Sequence, residues 1–165
     1  MLYAPDPASL APRALPETIP ALHGFTEVAL LPVRGFDLPE IDGFELERQG
    51  LDAAIVDAYR DAIFEAVPWP AHKTGGWARP TQDAMEDECA LVSAGLYCGD
   101  PKARRSDEGK RILAQPNDWT LLFQIDDDED AGMQWGDMAR LYFWIRAADL
   151  QAQNFDRVWV ILQTT

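Results

Sequence analysis

Cysteine is scarce in this chain of 165 residues: Cys89 and Cys98 are the only two. Small secreted scaffolds carry more, so no disulfide framework is expected and a reducing, cytoplasmic setting fits best. Histidine is limited to His23 and His72, and neither C-x-x-C nor H-x-x-x-H spacing occurs. No metal site is therefore expected. Basic residues are also few. Fourteen Lys and Arg stand against 28 Asp and Glu, a formal net charge of −14. Phosphate backbones are held by clustered Lys and Arg, which excludes a generic nucleic-acid binder. The same excess argues against docking on an anionic membrane. The start, Met1-Leu2-Tyr3-Ala4-Pro5-Asp6-Pro7, lacks the basic and apolar regions of a signal peptide. No apolar run approaches the ~20 residues that cross a bilayer.

What is present suits one domain over residues 1–165 with a sizeable core. Residues 1–20 carry five prolines and read as an extended arm. Thr26 to Val33 reads as a strand, with Pro32 placing its end at a sheet edge. Residues 52–67 form the clearest helix, capped by Asp52 and stopped by Pro68 and Pro70. Its apolar stripe runs through Leu51, Ile55, Tyr59, Ile63 and Val67. A Pro/Gly loop with Trp69, His72, Gly75, Gly76, Trp77 and Pro80 follows. A second helix is expected over residues 83–97, with Met85, Cys89, Val92 and Leu96 on one face and acidic residues in its first turn. Lys102, Arg104, Arg105, Lys110 and Arg111 then form a short basic patch, read as a solvated face.

The last third alternates differently. Trp119, Leu121, Phe123 and Ile125 fall on one side of a strand and Thr120, Leu122 and Gln124 on the other. Leu141 to Ile145 and Arg157 to Gln163 supply two more strands. Helices early and strands concentrated in the C-terminal third predict an α+β fold, with two main helices on a mixed or mainly antiparallel sheet.

Asp126, Asp128, Asp130 and Asp137 fall at positions 1, 3, 5 and 12 of a calcium loop. Ala131 stands where the turn glycine belongs, Asp137 is shorter than the usual Glu, and the flanks read as strands. The expectation is an acidic loop between strands. His72 beside Gly75 and Gly76 fits neither a Walker loop nor a dinucleotide fingerprint and reads as a loop anchor. Cys89 reads as a small core residue. Of six tryptophans, Trp69 and Trp77 are the candidates for a binding groove.

Three segments, in order, resemble a known family. The first runs from His72 through Gly75, Gly76 and Trp77 to Gln82. The second is Leu121 to Asp126, with Gln124, followed by Trp135, Gly136 and Asp137. The third is Arg140 to Arg146. Together they look like the YwqG-like family, a bacterial family whose domain has no assigned function. The resemblance implies an α+β fold, no cofactor and no catalytic residues. His72, Gly75, Gln82, Gln124, Asp126, Trp135, Gly136 and Asp137 match positions that the family pattern emphasises. Family members are usually longer, so the chain resembles the C-terminal portion, with Leu2-Tyr3 as the tail of a severed strand. A sheet edge opened in this way would favour self-association. Some relatives occur beside toxin systems, which implies an immunity-like role. The leading expectation is a non-catalytic binding module for a basic protein partner. The alternative is a small hydrolase using His72 with Asp126 or Asp137 as acid and base.

Overall fold

The computed structural model describes residues 6–11, 14, 16–18, 25, 28–39, 50–66 and 69–165. Within them the fold is α+β, with five α-helices and one four-stranded antiparallel sheet. Leu2, Tyr3, Thr26, Glu27 and Val67 lie outside the described residues.

Helix α1, Ala53–Ala66, starts where the sequence predicts, because the Asp52 carboxylate accepts from Ala54 N at 2.8 Å. Its buried stripe differs from the expectation. Val56 and Ile63 are buried and Tyr59 is half-buried, whereas Leu51 and Ile55 are exposed. A stripe at strict intervals of four drifts about 40° around a 3.6-residue helix at each step. Mixing steps of three and four keeps Val56, Tyr59 and Ile63 on one side. Residues 28–33 form no strand. Pro32 offers no donor, and Leu30, Leu31 and Val33 are exposed.

Helix α2, Glu86–Ser93, is shorter than the expected span of 83–97. Gly95, at φ +85°, ends it in a left-handed turn, with Gly95 N donating to Val92 O and Leu96 N to Leu91 O. Met85 and Cys89 are buried as expected. Burial pushes the Cys89 thiol up to about 12, which keeps it a thiol in the core. Two short helices occupy the basic patch: α3, Pro101–Arg105, and α4, Asp107–Leu113. Asp100 and Ser106 cap them by accepting from Lys102 N and Gly109 N. Arg104 pairs with Asp87 and Arg111 with Glu108, so acidic neighbours take up part of that positive charge.

The strands are β1, Lys73–Thr74; β2, Trp119–Asp126; β3, Arg140–Arg146; and β4, Trp159–Gln163. They lie side by side in that order. Helix α5, Ala147–Gln151, joins β3 to β4. Three of the four strands fall in the C-terminal third, as expected.

A bulge in β2 alters which residues face the core. Leu121 pairs with Trp144 and Phe123 with Phe143, so Leu122 is the extra residue. The alternation therefore changes phase at that point. Trp119 and Leu121 share one face with Gln124 and Asp126, not with Phe123 and Ile125. Across the sheet this face continues through Tyr142, Trp144 and Ile161, onto which Met85, just before α2, and Cys89 of α2 pack. Beyond the bulge the same face turns polar: Gln124 and Asp126 are 0% exposed, and Gln163 is buried.

Candidate functional site

The loop over residues 71–83 lies on the polar half of that face, and the sheet holds it there through side chains. Gln124 Oε1 accepts from Arg79 N at 2.9 Å, while its Nε2 donates to Ala71 O at 2.7 Å. Asp126 Oδ2 accepts from Ala71 N at 2.9 Å, and Oδ1 accepts from Arg140 Nε at 2.9 Å. Tyr142 donates its hydroxyl to Arg79 O at 2.6 Å, and Arg140 Nη1 donates to the same oxygen at 3.0 Å. Gln163 Oε1 accepts from the amides of Thr81 and Gln82, and its Nε2 donates to Asp83 O. Buried polar groups are tolerable because they satisfy the loop backbone.

His72 is bound on both sides of its ring. Asp126 N donates to Nδ1 at 3.1 Å, so that nitrogen carries a lone pair. Nε2 then carries the proton and faces Asp128 Oδ2 at 3.0 Å. This hydrogen bond, with the amides of Ala131 and Asp130, holds the Asp128 carboxyl below the usual carboxylate range. The ring thus meets Asp128, whereas the hydrolase alternative paired it with Asp126 or Asp137. The Asp126 carboxylate is taken by Arg140 and two backbone amides. Asp137 contributes its backbone carbonyl, which accepts from Thr164 and Thr165.

The acidic stretch is, as expected, a loop between strands, β2 and β3. Its carboxylates organise the loop itself. Asp127 accepts from the amides of Trp135 and Ala139, and Asp128 from those of Asp130 and Ala131. Trp135 donates its indole N–H to Asp126 O. Gly136 leaves room for Ala139, whose Cβ would stand 3.2 Å from a side chain there. Gln82 donates to Thr164 O at 2.7 Å.

A second cluster was missed by sequence reasoning. Asp37, from the segment before α1, sits over the loop. Its Oδ2 accepts from Lys73 Nζ at 2.8 Å and from Trp77 N at 2.6 Å, and its Oδ1 from Arg79 Nη2 at 3.1 Å. Gly76, at φ +72°, permits this approach, since a Cβ there would lie 2.4 Å from Asp37 Oδ2. Gly75, at φ +66°, turns the chain just before it and donates to Leu122 O, the carbonyl of the bulge. Trp77 and Trp69 leave their rings exposed, and Trp69 lies against the Arg140 guanidinium, 5.4 Å away. Burial raises the Asp37 carboxyl, but hydrogen bonds from Lys73 and Trp77 and the nearby Arg79 charge hold it below the usual range. The Lys73 ammonium is depressed: burial, with Arg79 and Arg140 nearby, outweighs what Asp37 restores. Three cations crowd this region in an otherwise acidic chain. Lys73 and Arg79 stand inside the first resembling segment and could have been noticed there. Nothing in the sequence ties Asp37 to them.

A carboxyl that is more acidic in the folded state contributes stability above its unfolded value, and that contribution is lost as pH falls through the folded one. Asp37 should therefore release Lys73, Trp77 and Arg79 below about pH 4. The Trp77 amide resonance of the wild type, compared with that of Asp37→Asn, reads this step. A transition that persists unchanged in Asp37→Asn assigns it to another group.

A pocket of about 630 Å³ lies at the other end of β2, lined in part by Trp119, Arg146, Asp149, Arg157 and Trp159. None of the candidate residues named from the sequence lines it. No helix among the described residues is long and apolar enough to cross a membrane. No curated protein matches the chain. A family model described as a Domain of unknown function (DUF1963) matches residues 29–164, from the approach to Asp37 to just past Gln163, and the chain belongs to that family.

Proposed function

We propose that the chain is a cytoplasmic, YwqG-like, non-catalytic protein-binding module whose acidic surface receives a basic protein partner, with an immunity-like pairing as its specific form. One observation carries this reading. The side chains of His72, Gln82, Gln124 and Asp126 are committed to the chain's own backbone and side chains, and both ring nitrogens of His72 are occupied. A general base needs a nitrogen that can reach a substrate proton. The charge of −14 supplies the complementary half, since opposed potentials speed encounter and select partners.

Capture from a host lysate at low ionic strength should retain a protein of net positive charge. Salt of about 0.5 M should release it, because the Debye length shrinks to a few ångströms. His72→Ala should lower stability by about 1–3 kcal/mol through two unpaired partners, yet retain the same protein. Recovery of acidic proteins alone sinks the reading. So does a hydrolytic activity of the wild type that a folded His72→Ala variant lacks, which would establish the hydrolase.

A further inference from the structure

We propose that Lys73, Arg79 and the Trp77 amide form a binding site for a phosphoryl group, which the chain fills in cis with the carboxylate of Asp37. Three donors from one short loop converge on one carboxylate: Lys73 Nζ and Trp77 N on Oδ2, and Arg79 Nη2 on Oδ1. The carboxylate leaves part of this donor capacity unused. Arg79 is 6% exposed, and its Nε and Nη1 have no hydrogen-bond partner among the described residues. Buried guanidinium donors are costly when unpaired. A carboxylate offers two oxygens, and both are taken. A tetrahedral phosphoryl group offers a third and a second negative charge, for which Arg79 suits as a planar fork.

Charge points the same way. Arg140 stands close to Lys73, and its own carboxylate partner, Asp126, is engaged with backbone amides as well. Burial depresses the Lys73 ammonium first, and the Arg79 and Arg140 charges beside it push in the same direction. Gly76 adds access, because a group at the Asp37 Oδ2 position lies closer to that backbone than any Cβ would allow.

The segment that carries Asp37 is suited to leaving. Phe36 is 107% exposed, and Leu31 and Val33 are 86% and 84% exposed. Among the described residues it is held by the Asp37 contacts and by the hydroxyl of Tyr59, which donates to Pro39 O. Leu31, Val33 and Phe36 bury little apolar surface of their own, so exchanging the carboxylate for a phosphoryl group trades the Asp37 ion pairs for ones that the ligand restores. Occupancy in cis lowers apparent affinity by the fraction of molecules whose site is open.

The test titrates inorganic phosphate, phenyl phosphate and acetate into wild type, Asp37→Ala and Asp37→Ala/Lys73→Ala, with calorimetry and circular dichroism. Saturable phosphate binding is expected in Asp37→Ala, about tenfold or more tighter than in wild type, and at least about tenfold tighter than acetate. The double variant should lose it. Phenyl phosphate binding as well as phosphate identifies a phosphomonoester ligand; phosphate binding alone identifies the free anion. Either result supports the site. Folded Asp37→Ala without saturable phosphate binding overturns it, as does acetate binding equally well or a double variant that binds undiminished. Should Asp37→Ala fail to fold, Asp37→Asn keeps the side-chain size and is judged by the same outcomes.

Discussion

Asp126→Ala should destabilise the protein by about 3–5 kcal/mol, the cost of leaving a partner of a buried ion pair uncompensated. The carboxylate is fully buried and serves three groups at once: Arg140 Nε, the Ala71 amide and the Asp127 amide. Its loss strands a mostly buried guanidinium and frees the start of the loop that carries His72. Asp126→Asn keeps one acceptor oxygen and should fall between the wild type and Asp126→Ala. Urea unfolding measures both. A loss below about 1 kcal/mol for Asp126→Ala would show that water reaches Arg140 and that the buried polar row is not closed.

Trp144 should show a sharp split between two substitutions. It is buried in the apolar cluster with Met85, Cys89, Trp119, Leu121, Tyr142 and Ile161. Trp144→Ala should cost about 3–5 kcal/mol, from lost transfer energy and the cavity left behind. Trp144→Phe should cost much less. The indole N–H is buried without a hydrogen-bond partner among the described residues, so removing it relieves one unpaired donor while most of the ring volume remains. Thermal and urea unfolding of the two variants check this. Equal losses would mean that the indole nitrogen is bonded in solution.

The two substitutions probe parts of the fold that differ in how far the sequence disclosed them. The apolar half of the sheet face follows from alternation at Trp119 and Leu121 and from the Met85–Cys89 spacing, both local patterns. The polar half does not. A bulge at Leu122 changes no residue type, so the pattern running on through Phe123 and Ile125 gives no notice that Gln124 and Asp126 take the inner face. His72 is legible as an anchor because a histidine between Pro and Gly residues has few other uses. Its partner is not, since Asp128 competes with four acidic neighbours that differ only in where the loop turns. The capped starts of α3 and α4 were written in Asp100-Pro101 and Ser106-Asp107-Glu108, but their charges suggested a surface patch instead. Asp37 meets the loop across an interval of about 40 residues, and only the folded arrangement joins them.

The loop anchors also bear on the order of assembly. Strands β2 to β4 form by successive antiparallel pairings between neighbours along the chain. The bonds from the loop to Gln124, Asp126, Tyr142 and Gln163 close intervals of 45 to 82 residues. Closing them costs chain entropy that only a finished sheet face can offset. The loop therefore docks after the meander has formed, and its anchors leave the folding rate nearly untouched. Their strength appears in the rate of opening instead. Residues 71–83 open before the sheet gives way, so the exchange of the Ala71 and Arg79 amides reports on that step.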